Sequence, residues 1–140
     1  MTRIDFYFNV EDKLHQVAQL AGQALSRQRR LLVFVPDAEA ATQLEHALCT
    51  RMATDFLPCC RRDHALAAET PIVIDWQGVD FPHDDVLINL RLETPPFFSR
   101  FKGLVEIVGK DDGDRRDARG RFRFYRDRGY DIRSHDLAGG

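Results

Sequence analysis

Apolar residues in this chain come as short dense runs, separated by stretches in which they recur at helical spacing. Ile4 to Phe8, IDFYF, concentrates aromatic and β-branched residues and predicts a strand ending at Asn9. From Glu11 to about Gln28 the pattern changes: Leu14, Val17, Ala18, Ala21, Ala24 and Leu25 share one helical face, with Asn9 or Asp12 available as the cap. Leu31 to Val35, LLVFV, is uninterrupted apolar sequence, the mark of a strand covered on both faces in a parallel sheet. Pro36-Asp37 opens a second helix over Glu39 to Leu48, with Asp37 as N-cap and Ala40, Ala41, Leu44, Ala47 and Leu48 turned inward.

The middle is less regular. Asp55 to Cys59, DFLPC, has room for a short strand that Pro58 pushes to an edge, and residues 60–70 read as loop or irregular turn. PIVIDW, Pro71 to Trp76, and DVLINL, Asp85 to Leu90, predict two buried strands around a polar loop containing Gly78 and Pro82. After Thr94-Pro95-Pro96, the residues Phe97, Phe98 and Phe101 predict a short aromatic-rich helix or turn. LVEIV, Leu104 to Val108, supplies another strand, and a helix follows Gly109 with Gly129 as its C-cap. Tyr130 to Arg133 predicts a last short strand before a loose tail. Alternating strands and helices of this kind predict a three-layer α/β/α fold with a Rossmann-like, mostly parallel central sheet. The length of 140 residues suits one domain, spanning residues 1–140.

Composition narrows the function classes. With 44% hydrophobic and 30% charged residues the chain has a soluble globular profile, and no apolar run reaches membrane-spanning length. The N-terminal MTRIDFYFNVEDK has acids where a signal peptide would be apolar, so a cytoplasmic protein without membrane association is expected. Cys49, Cys59 and Cys60 lack disulfide-framework or zinc spacing, even with His46 and His64 considered, and Asp84-Asp85 resembles strand-entry acids more than a metal site. NVEDK and PDAEA follow the first two strands where a nucleotide fold would carry glycines, and the histidines stand at no catalytic spacing. No cofactor, metal, small-molecule substrate or catalysis is therefore expected.

The chemistry concentrates between Asp111 and Tyr130, DDGDRRDARGRFRFYRDRGY, which holds seven arginines and five aspartates in a chain of net charge −2. On a helix, Arg115, Arg119 and Arg126 fall in one row beside an apolar stripe of Ala118, Phe122 and Tyr125, with Phe122 on the seam. Guanidinium forks suit carboxylates and phosphates. The pattern therefore fits an acidic peptide ending in a hydrophobic residue, a nucleic-acid strand, or a solvated face above a core stripe.

FYF near the start, EAATQLEHAL, DFLP, PIVIDW, DDVLINLRLETPPFFSRFKGLVEIVG and DARGRFRFYRDRGYDI together resemble the chi subunit of bacterial DNA polymerase III, from about residue 4 to residue 132. The resemblance implies a non-catalytic accessory subunit of the clamp-loader assembly in DNA replication, binding no nucleic acid directly. It implies two partners. One is the acidic, phenylalanine-ending tail of single-stranded DNA-binding protein, whose family contact positions fall on Val108, Arg115, Arg119 and Phe122, with Arg126 extending the row. The other is the psi subunit, whose contact falls on Phe56, Leu57 and Pro58, with Cys49 at a family tryptophan position. Arg115 and Phe122 stand where a family pattern has lysine and tyrosine, keeping charge and ring while losing a phenol hydroxyl.

Overall fold

A computed structural model describes residues 2–51 and 59–137 of the chain and, within them, every side chain except those of residues 49–51 and 68. The strands are β1 (Arg3–Val10), β2 (Leu31–Phe34), β3 (Cys59–Arg61), β4 (Ile72–Asp75), β5 (Val86–Asn89), β6 (Gly103–Gly109) and β7 (Ile132–Asp136). The helices are α1 (Lys13–Ser26), α2 (Ala38–Arg51) and α3 (Asp112–Asp127). All seven strands join one sheet in the order β3-β4-β2-β5-β6-β1-β7, and every pairing is parallel.

The dense apolar runs are explained by cover on both faces. In β2, Leu31 and Val33 pack with Val17 and Ala21 of α1 and Ala41 and Leu44 of α2. Leu32 and Phe34 point the other way, into a cluster with Phe97, Phe98 and Phe101 and with Ala118 and Tyr125 of α3. The result is a Rossmann-like α/β/α sandwich in which each fully buried Leu or Ile contributes about 1.5–3 kcal/mol of burial. The aromatic turn fills the stretch of sheet that α3 leaves uncovered, with Phe97 set edge-on against Phe34 at 4.9 Å between centroids.

Caps fix where the helices begin. Asp12 Oδ1 accepts from the backbone N–H groups of Leu14 and His15 at 3.1 and 3.2 Å, so the α1 cap is Asp12 and Asn9 is released for another task. Asp37 caps α2 through the N–H of Ala40 at 2.8 Å. At the end of α3, Gly129 takes φ +83°, its N–H donates to Arg126 O, and the N–H of Tyr130 donates to Tyr125 O at 3.2 Å. This closing turn uses up Gly129 and Tyr130, which is why the last strand starts at Ile132 and runs to Asp136 instead of occupying Tyr130 to Arg133. At the opposite edge, β3 occupies Cys59–Arg61, so Cys60 and Arg61, read as loop, are strand; residues 55–58 of the strand expected over Asp55 to Cys59 lie outside the described ones.

Neighbouring strands β1 and β6 send the chain in opposite directions. The connection through α1 leads to β2 and that through α3 leads to the edge strand β7, which puts the two helices on opposite faces of the sheet. Such a divergence opens a crevice at the strand ends, where doubly wound proteins take anionic ligands. Here Asp114 Oδ2 sits in it, accepting from the Gly109 N–H at 2.7 Å and from Lys13 Nζ at 2.8 Å.

Candidate functional site

Helix α3 is seated by a polar contact that the sequence pattern did not flag. Glu106, in the middle of β6, is fully buried. Its Oε1 accepts from Arg121 Nε at 3.0 Å, its Oε2 from the Tyr125 hydroxyl at 2.6 Å, and both oxygens face Asn89 Nδ2 at 3.1 Å. Arg121 also donates to the Leu92 carbonyl at 2.7 Å. Burial pushes the Glu106 carboxyl up while the Arg121 guanidinium and the Tyr125 and Asn89 donors act against that rise. The Tyr125 phenol is held far above its usual range by burial and by the Glu106 charge, so it stays a donor. A signal was present in the spacing: Arg121 lies four positions before Tyr125, on the core side of the helix.

With that side pinned, the other side of α3 overhangs β1 and β7. Arg115, Arg119 and Arg126 are exposed, Phe122 is half-buried with its ring edge-on to Phe6 at 5.3 Å, and Val108 is buried at the end of β6. Two adjoining hollows of about 330 Å³ each open along this overhang. The first is lined by Phe8, Asn9, Val108, Arg115, Arg119 and Asp136. Phe122, Arg123, Arg126 and Ser134 contribute to the second, and Phe8 and Arg119 belong to both. The five residues singled out on α3 and β6 thus meet along one groove with Arg119 at its waist.

The arginines differ in what they touch. Arg126 leans on Asp127 at 3.2 Å, an exposed neighbour pair of little energetic weight. Arg115 Nη2 donates to Asn9 Oδ1 at 2.6 Å, and Asn9 Nδ2 donates in turn to Asp136 Oδ1 at 2.8 Å. Among the described residues Arg119 has no hydrogen bond or ion pair. An apolar floor of Phe8 and Val108 under cationic walls can take a hydrophobic side chain and a carboxylate together. Phe8, Asn9, Ser134 and Asp136 were missed because they reach the groove from strands far away in sequence; β7 in particular was placed too early for Ser134 and Asp136 to be recognised.

The second set of expected contact residues lies elsewhere. Phe56, Leu57 and Pro58 fall outside the described residues, and Cys49 belongs to α2 without a described side chain. Cys60 is buried in the sheet. Asp85 works at the entry to β5, accepting from the Arg30 N–H and from Arg29 Nη1, each at 3.0 Å. No helix among the described residues is long and apolar enough to cross a membrane.

A family model described as "DNA polymerase III chi subunit, HolC" matches residues 1–133. The chain is 32% identical over 144 residues to DNA polymerase III subunit chi of Pseudomonas aeruginosa, covering 98% of each. It is 30% identical over 122 residues to the protein of the same name from Escherichia coli, covering 83% of this chain and 80% of that one. Against the Haemophilus influenzae protein of that name the identity is 28% over 110 residues, covering 78% and 76%.

Proposed function

This chain belongs to the DNA polymerase III chi subunit family, and on that premise we propose that it is a non-catalytic adaptor whose α3–β7 groove takes the acidic C-terminal tail of single-stranded DNA-binding protein. The reading is carried by one observation: Arg119, with no ion pair of its own among the described residues, stands at the waist of a groove floored by Phe8 and Val108. The tail's terminal carboxylate and acidic side chains would receive the N–H groups of Arg115, Arg119 and Arg126. Its last apolar side chain would lie on Phe8, Val108 and Phe122. The adaptor's other partner would be the psi subunit, which would tie it to the clamp loader through contacts with Cys49, Phe56, Leu57 and Pro58.

Exposed ion pairs are worth about 0–1 kcal/mol each, so the affinity is modest and salt-sensitive. The direct test is a pull-down of single-stranded DNA-binding protein by this chain, full length against tail-deleted. Capture of the full-length form alone supports the proposal, and equal capture of both forms rejects it. A nucleic-acid module using the same arginines would instead bind single-stranded DNA with steep salt dependence and would ignore the terminal residue of a competing peptide.

A further inference from the structure

Asn9 has a backbone that would suit glycine better. Its φ is +58°, in the left-handed region, at the point where the β1–β6 register shifts between Tyr7 and Val10. Asparagine is among the few non-glycine residues that take this conformation without large cost. Its side chain stands between an exposed cation and an anion of the same hollow, accepting from Arg115 at 2.6 Å and donating to Asp136 at 2.8 Å. The orientation of the amide is forced, since a guanidinium can only donate and a carboxylate can only accept.

We infer that Asn9 is a positioning residue of the tail groove: its amide spaces the Arg115 guanidinium from the Asp136 carboxylate, so that the cation remains available to an incoming carboxylate. This inference rests on the tail-binding reading above. A neutral amide meets both charges with the required polarity, its oxygen accepting from the guanidinium and its NH2 donating to the carboxylate. Without it, the Arg115 guanidinium would turn to the Asp136 carboxylate, which lines the same hollow. The protein's own carboxylate then occupies the site meant for the ligand's, and the groove is neutralised from within. The spacer keeps that competition off while restricting a long arginine side chain that would otherwise sample many rotamers. It also explains why asparagine, and not glycine, stands at a left-handed position.

The test uses the full-length chain and an acidic peptide ending in phenylalanine with a free carboxylate, titrated by fluorescence anisotropy. Asn9→Gly keeps the φ and removes the amide, so the fold is retained while affinity falls about fivefold, the factor that roughly 1 kcal/mol represents. Adding Asp136→Asn to that variant removes the competing carboxylate and returns the affinity to the wild-type level or above. A role confined to holding β1 in shape would give no such rescue. Asn9→Asp is a second route: it accepts from Arg115 as before but neutralises it, and it also weakens the peptide. Wild-type affinity in Asn9→Gly or Asn9→Asp, or a double variant as weak as Asn9→Gly, overturns the inference while leaving the docking proposal standing. A wild-type chain that does not bind the peptide overturns both.

Discussion

Arg121 and Arg119 stand two positions apart on α3, carry the same group, and have opposite fates. Arg121 is buried on a fully buried carboxylate, with a second bond to the Leu92 carbonyl. Arg119 projects into solvent over an apolar floor. The first guanidinium cannot be spared by the fold, because removing it leaves the Glu106 charge stranded in the core. The second can be spared by the fold. The difference teaches that the arginine content of this helix counts for little until each side chain's acceptor among the described residues is known.

The strongest way to break the comparison is to remove Arg121. Arg121→Ala should cost about 3–5 kcal/mol of stability, the typical penalty for leaving a buried charge unpaired. Chemical denaturation measures it, and a loss within about 0.5 kcal/mol would place Arg121 in the same class as Arg119. Arg119→Glu is the counterpart. It should leave the melting temperature unchanged while weakening an acidic, phenylalanine-ending peptide by about tenfold or more, which corresponds to roughly 1.4 kcal/mol. Unchanged affinity on titration would remove the site.

A milder contrast is set by pH. Burial pushes the Asp114 carboxyl up, but the Lys13 ammonium and the Gly109 N–H outweigh that and hold it below its usual value. A depressed carboxylate contributes stability that is present above the ordinary carboxylate range and lost as pH falls through the folded value. The wild-type melting temperature should therefore drop more steeply than that of Asp114→Asn on acidification below about pH 4. Parallel curves would show that the Asp114 contact has no energetic weight. The smallest effect is salt: raising ionic strength should weaken peptide binding by a few-fold and leave thermal stability nearly unmoved, because exposed charges are screened and the Arg121–Glu106 pair is not.

Much of the fold was legible because its signals are local. The five-residue apolar run Leu31 to Val35 required cover on both faces, and apolar neighbours on α1 and α2 supply one of them. Asp37 and Gly129 mark helix ends by the conformations they favour. What escaped depends on contacts between distant segments. Glu106 looked like one more residue of a strand until Asn89, Arg121 and Tyr125 closed around it. Asn9 offered itself as a helix cap, and its true partners lie 106 and 127 positions away. The arginine row itself was visible from periodicity, whereas the groove needed β7, whose start was displaced by the turn that closes α3.

The carboxylate of Asp114 at the mouth of the β1–β6 divergence has a last consequence. In doubly wound proteins that bind nucleotides, that mouth receives the ligand's phosphates. Here the counter-charge is covalently attached, so the rim of the sheet is complete as soon as the chain folds. For the adaptor proposed above, this would leave its grip on a partner independent of nucleotide supply.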